Sequence, residues 1–192
     1  MEKINISPDF VFSPQPMYLV GTKNEDGSAN FCVITWIGFS VDKTPHLMMT
    51  IGGTKQTKTN ILRERKFSAN LINEENIWLA DYFGSVRGEE RSKNDVAYRY
   101  QWGKSVDVPI LEETNWCYEC EVTKIIELDG SHLFLADIKN IQIDSCFVDM
   151  DKNKIDLSRL KPTVYAPYHY YSIGDKLGDC GEWKKHLKSK SE

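Results

Sequence analysis

The chain has 192 residues, 41% of them hydrophobic, which suits one domain with a real core. Its net charge of -4, with no concentrated basic face, argues against a nucleic-acid partner. No apolar run approaches the ~18 residues of a membrane helix, so no membrane partner is expected.

The five cysteines, Cys32, Cys117, Cys120, Cys146 and Cys180, are odd in number and no signal peptide is evident, which predicts a reducing, cytoplasmic setting. Cys117 and Cys120 have C-x-x-C spacing but lie in an alternating segment. Strand positions three apart point to opposite faces, so no shared redox or metal site is expected from them. His46, His132, His169 and His186 form no metal-ligand spacing.

The early chain reads as sheet. Met17-Tyr18-Leu19-Val20 is apolar, and Asn24 to Ser28 is a turn in which Asp26-Gly27 supplies the positive φ. Asn30 to Phe39 is a β-rich run that returns as a hairpin partner, and Pro45 precedes a strand from His46 to Ile51. A surface helix is predicted from about Lys55 to Arg65, with Ile61 and Leu62 as its apolar residues. Lys66 to Ile72 reads as a strand with Phe67, Ala69 and Leu71 on one face and Ser68 and Asn70 on the other. Glu74 to Phe83 reads as a helix with two acids near its start. Gly84 to Pro109 is read as a long loop with a short helix. Two long strands follow, joined by Asp129-Gly130-Ser131; Tyr118, Cys120 and Val122 alternate with Glu119, Glu121 and Thr123. After Lys152 the chain reads as a tail rich in tyrosine, and Lys184 to Lys190 as a basic, frayed end. Antiparallel strands with two or three helices predict a closed barrel decorated by helices, in a single domain over 1–192 with terminal extensions at 1–15 and 180–192.

Chemistry concentrates in Gly52 to Ile61, G-G-T-K-Q-T-K-T-N-I. A strand stops at two glycines, then threonines and lysines lead into a helix N-terminus. Such an end offers unpaired N–H groups to an anion. A plain turn with Thr54 as a helix cap is the competing reading. The G-x-x-x-x-G-K-[ST] spacing of a Walker loop is absent.

In this order the elements resemble the flavin-reductase-like family with an FMN-binding split barrel, which includes flavoredoxin. Pro16 to Thr22 resembles the first barrel strand and Asp26-Gly27-Ser28-Ala29-Asn30 the D-G-x-x-N turn. Trp36 to Ser40, followed by Pro45, resembles the strand that lines the flavin ring. Thr54 to Ile61 resembles the phosphate segment, Phe67-Ser68-Ala69-Asn70 the F-x-x-N strand, and Asp129 to His132 the hairpin turn with histidine. Tyr165 and Tyr170 to Gly178 resemble the C-terminal ending. Gly52, Gly53 and Lys55 stand where relatives often carry Arg or Ser.

The resemblance implies a mainly β, six-stranded Greek-key split barrel that binds FMN. Thr54, Lys55 and Thr57 would meet the phosphate, and Gly53 would open the way to it. Thr35 and Trp36 would lie beside the isoalloxazine ring, unless Trp36 is a core aromatic. Asn70 would bond the ribityl chain or pyrimidine edge, unless it faces solvent. His132 would contact nicotinamide or ribityl groups, unless it is structural. No catalytic acid, base or nucleophile and no metal site is implied. The implied activity is hydride transfer from NAD(P)H to flavin N5, with no Rossmann fingerprint to hold the nicotinamide. The implied assembly is a homodimer. Two alternatives stand beside it: an FMN-holding electron carrier that serves a redox protein partner, and a split-barrel binding module without catalysis.

Overall fold

The computed structural model describes residues 3–5, 7, 14–86, 96–149, 154–155 and 157–180. The strands are β1 (Gln15–Pro16), β2 (Tyr18–Lys23), β3 (Ala29–Ile34), β4 (Ile37–Val41) and β5 (Pro45–Gly52). Helix α1 (Gln56–Glu64) precedes β6 (Lys66–Leu71), and helix α2 (Ile77–Ser85) follows it. Then come β7 (Tyr100–Trp102), β8 (Pro109–Leu111), β9 (Trp116–Leu128), β10 (Ser131–Ile143), β11 (Val148–Asp149) and β12 (Lys154–Ile155). A short helix α3 (Leu157–Leu160), β13 (Thr163–Ala166) and β14 (His169–Ser172) close the described chain.

Seven strands form one antiparallel sheet in the order β3-β2-β6-β9-β10-β5-β4. Its two edge strands, β3 and β4, are consecutive in sequence and joined only by Thr35 and Trp36. The sheet must therefore curl until its edges adjoin at that link, but β3 and β4 do not pair, so the barrel is split and not closed as the strand pattern suggested. Ring contact confirms the curl: Phe39 on β4 touches Tyr118 on β9 at 5.3 Å, across two intervening strands. Counted as one bent strand, β3 and β4 make this a six-stranded split barrel. The single β run read from Asn30 to Phe39 thus breaks at the barrel seam.

Two apolar cores explain the burial pattern. Tyr18, Val20, Ile34, Ile37, Met49, Phe67, Phe134 and their neighbours fill the barrel. Met17, Leu19, Phe31 and Ile72 face outward and are covered by Leu79, Ala80 and Phe83 of α2. Both faces of β2 and β6 are buried in consequence. Alternation still holds along these strands, but each face has a core of its own.

Turn chemistry fixes the register. Gly27 and Gly130 take positive φ at the tips of the β2–β3 and β9–β10 hairpins. Helix α2 begins later than the sequence suggests. Asn73 Oδ1 accepts the N–H groups of Glu75 and Asn76, and Asn76 Oδ1 accepts that of Asn73. This side-chain turn outcompetes a helical first turn at Glu74 and Glu75.

Three further expectations change. Between Gly84 and Pro109, residues 87–95 lie outside the description; the part from residue 96 forms the β7–β8 hairpin with Leu111. The tyrosine-rich tail is ordered as β13 and β14, which pair with β1 in a small sheet. Gln15, expected in an extension, pairs with Tyr165 there. The rest of the two extensions, including the Lys184 to Lys190 end, falls mostly or wholly outside the described residues.

Candidate functional site

Helix α1 leaves β5 through Gly52, Gly53 and Thr54. Gly53 has φ +63, and its N–H donates to Gly130 O at 3.1 Å, which ties the strand exit to the β9–β10 turn. The N-cap residue is Lys55, in extended conformation, and no side chain caps the helix. Thr54 is therefore not a cap, and the first N–H groups of α1 have no side-chain acceptor among the described residues.

That helix end opens into a cleft of about 980 Å³. Thr54, Lys55, Gln56, Thr57 and Thr59 form its floor. Asn24, Glu25 and Asp26 of the β2–β3 turn, with Asn30, Phe31 and Cys32 of β3, form one wall, and Phe83 to Val86 at the end of α2 form another. The cleft thus combines an uncapped helix end, a lysine and hydroxyls in one concavity of small-molecule size.

Beneath the cleft lies a hydrogen-bond network that the sequence reading missed. Asn30 Nδ2 donates to Thr57 Oγ1 at 2.8 Å and to Thr22 Oγ1 at 3.1 Å. Asn60 Nδ2 donates to Asn24 Oδ1 at 2.8 Å and to Thr22 Oγ1 at 3.1 Å, and Asn60 Oδ1 accepts from Gln56 Nε2 at 2.8 Å. Thr57, Asn60 and Ile61, spaced i, i+3, i+4, are the buried residues of α1. The inner face of α1 is therefore largely polar, and Leu62, the other apolar residue named for this helix, is 39% exposed. The signal was present in the spacing of Thr57 and Asn60, which places both on the face of Ile61.

The structure sorts the expected site residues. Thr54 and Lys55 are exposed on the cleft floor. Thr57 is 1% exposed and its hydroxyl oxygen is occupied by Asn30, so it acts chiefly from below. Gly53 adjoins the floor. Thr35 and Trp36 form the seam link beyond the far end of β3, outside the cleft walls. Trp36 is 58% exposed, so it is not a core aromatic. His132 pairs with Ile51 beside the glycines and stacks on Phe134 at 6.0 Å; its buried Nδ1 has no hydrogen-bond partner among the described residues.

Asn70 is the correction. It is fully buried, and it belongs neither to the cleft nor to a solvent face. Its Nδ2 donates to Leu19 O and Ser68 Oγ, and its Oδ1 accepts the N–H of Leu111. These bonds join β6 to β2 and β8. The second core under α2 and the β7–β8 hairpin cover the face that the alternation pattern left open.

Glu119 was read as the polar side of an alternating strand, yet it too is fully buried. Its Oε1 accepts from Lys104 N, Asn140 Nδ2 and Gln142 Nε2, and its Oε2 from Ser105 N and Val106 N. Burial alone raises its pKa, but these donors outweigh burial and hold it below the usual 4.5. The carboxylate clasps the loop between β7 and β8 and lies beside a second groove, of about 580 Å³, lined by Asn140 and Gln142. Cys117 and Cys120 are both buried; burial pushes the Cys117 thiol up to about 12 and that of Cys120 further. Neither is a ready thiolate at neutral pH.

Barrel, seam and helix-capped cleft together define a split-barrel protein of the flavin reductase type. The family described as Flavin reductase like domain matches residues 11–174. The chain belongs to that family. Flavoredoxin from Methanosarcina acetivorans shares the fold with a TM-score of 0.87 at 23% identity, over 97% of this chain and 100% of that one. Flavoredoxin of Desulfovibrio vulgaris (Miyazaki F) gives 0.84 at 23% identity, over 94% and 98%. An FMN-binding protein from Thermus thermophilus, with bound 1-cyclohex-2-enone, gives 0.76 at 20% identity, over 93% and 97%. No curated sequence matches the chain. Among the described residues no helix is long and apolar enough to cross a membrane.

Proposed function

We propose that this protein binds FMN in the α1 cleft and is an NAD(P)H-dependent flavin oxidoreductase. The observation that carries the reading is the uncapped α1 N-terminus, which opens with Thr54 and Lys55 into a cleft of about 980 Å³. Thr54, Lys55 and the first N–H groups of α1 would hold the phosphate, and Thr57 would support them from below. Gly53 lets the backbone pass close to the flavin tail. Thr35 and Trp36 would flank the ring at the barrel seam. The orphaned Nδ1 of His132 fits a polar group of the cofactor or of nicotinamide.

Bound there, FMN supplies a hydride acceptor, so the protein needs no nucleophile or acid–base pair of its own. Its residues bind, orient and shield. Trp36, Phe39 and Val41, at 58%, 47% and 75% exposure along the β4 edge, are suited to a homodimer contact. Five free cysteines fit a reducing cytoplasm.

Steady-state NADH and NADPH oxidation with added FMN tests the activity. Turnover supports the reductase reading. Tight FMN binding without turnover points instead to an electron carrier with a redox protein partner. Thr54→Ala combined with Lys55→Ala removes two exposed contacts and should weaken FMN binding by about a hundredfold. Unchanged affinity would place the phosphate elsewhere.

A further inference from the structure

The polar network under the cleft has a direction of donation, and a carboxylate sets it. Asp26 Oδ1 can only accept, so the Ser28 hydroxyl donates to it at 2.6 Å. Ser28 Oγ then accepts from Asn24 Nδ2 at 2.9 Å, which leaves Asn24 to present its oxygen to Asn60. Asn60 uses its two amide protons on Asn24 Oδ1 and Thr22 Oγ1, and its own oxygen accepts from Gln56.

Asn30 carries this network to the cleft. Its Nδ2 has two protons and both are used, one on Thr22 Oγ1 at 3.1 Å and one on Thr57 Oγ1 at 2.8 Å. Asn30 and Thr57 both line the cleft. Thr57 Oγ1 already accepts, so its hydroxyl is left as a donor. Thr57 is only 1% exposed, yet that proton has no acceptor among the described residues. A buried donor without an acceptor costs stability, and a ligand oxygen would relieve it. Asn30 Oδ1 is the converse. It has no donor among the described residues and is not sealed from solvent, so it opens to the cleft that the residue lines.

Donor and acceptor stand side by side. Thr57 Oγ1 is 2.8 Å from the Asn30 amide nitrogen, and Oδ1 belongs to that same amide. A phosphate ester with a hydroxyl on the next carbon presents the matching pair, an acceptor oxygen beside a donor. The ribityl phosphate of FMN has this arrangement, and inorganic phosphate lacks it.

We propose that Asn30 is a specificity residue, an inference that rests on the flavin reading above. It commits the Thr57 hydroxyl to donate to the ligand's phosphate. On its own Oδ1 it takes the ribityl hydroxyl nearest that phosphate. A residue that merely bolted β3 to α1 would support every flavin alike. Asn30 instead favours a phosphate with a neighbouring hydroxyl, by about tenfold for one neutral hydrogen bond.

The test titrates the full-length apoprotein with three probes: FMN, a deoxy analogue of FMN without the ribityl hydroxyl nearest the phosphate, and riboflavin. The native protein should bind FMN about tenfold more tightly than the deoxy analogue. Asn30→Ala should bring that ratio close to one. Asn30→Asp keeps the shape and the acceptor, so the preference for the hydroxyl should survive. Its charge faces the phosphate and draws the Thr57 proton, so the preference for FMN over riboflavin should fall about tenfold and partly recover in high salt. Equal binding of FMN and the deoxy analogue by the native protein would overturn the inference and leave the flavin site intact. So would a deoxy ratio untouched by Asn30→Ala, or a riboflavin ratio untouched by Asn30→Asp. The native comparison and the isosteric Asn30→Asp decide the matter even if Asn30→Ala does not fold. Failure of the native protein to bind any of the three flavins would overturn the underlying reading and this inference with it.

Discussion

Replacing Glu119 by glutamine probes the least legible element of the fold, because it keeps the shape and removes the charge. The native carboxylate accepts five hydrogen bonds, three at Oε1 and two at Oε2. A glutamine NH2 group is tolerated best on the Oε1 side, where Asn140 and Gln142 can turn their amides over and offer oxygen. Lys104 N then loses its acceptor. The surviving bonds drop from the ~1.5–3 kcal/mol of a charge-assisted bond toward ~1 kcal/mol each. Smaller desolvation of a neutral group offsets part of this, which leaves a net cost of about 3 kcal/mol. For a chain of this size that lowers Tm by about 9 °C. Urea and thermal unfolding at neutral pH measure it. The pH dependence follows from the depressed pKa: the stabilisation is fully present above the unfolded value and is lost as pH falls through the folded one. The gap between native protein and Glu119→Gln should therefore be flat from neutrality to about pH 5 and shrink in more acid solution. A gap below about 1 kcal/mol, or one that persists undiminished at about pH 3, would refute the clasp.

Asn60→Ala removes three side-chain bonds, two that join α1 to Thr22 and Asn24 and one to Gln56 within α1, and should cost about 3 kcal/mol in urea unfolding. It should also weaken FMN binding, since it loosens both the floor and the rim of the cleft. In maleimide labelling of the native protein, exposed Cys146 and Cys180 should react quickly. Buried Cys117, with its thiol pushed up to about 12, should stay unmodified until unfolding, as should Cys120. Cys32, on the cleft wall, should react in the apoprotein and be protected by FMN; mass spectrometry of labelled peptides reads all five sites.

Wherever turn chemistry and strand periodicity agreed, the fold was legible. Gly27 and Gly130 marked both hairpin tips, and β5, α1 and β6 fall within a residue or two of their expected spans. The break at Thr35 and Trp36 was not legible, because a β-rich run carries no local mark of the point where it passes from one sheet edge to the other. Asn70 and Glu119 were misread for one shared reason. Alternation reports which residues share a face, but not whether that face is covered. Here α2 and the β7–β8 hairpin cover it, and polar residues beneath them bond to backbone instead of water. At the site, Thr54 and Lys55 were visible as cleft chemistry, whereas Asn30 and Asn60 act through a network assembled from three separate elements.

The central claim is that the uncapped start of α1, with Thr54 and Lys55, receives the phosphate of FMN. Fluorescence titration of the apoprotein with FMN and with riboflavin, which lacks the phosphate, tests it most directly. The account predicts saturable binding of one FMN per chain, with riboflavin bound at least about a hundredfold more weakly and that difference sharply narrowed by Thr54→Ala with Lys55→Ala. Equal affinity for FMN and riboflavin in the native protein, or no FMN binding at about 100 μM, would contradict it.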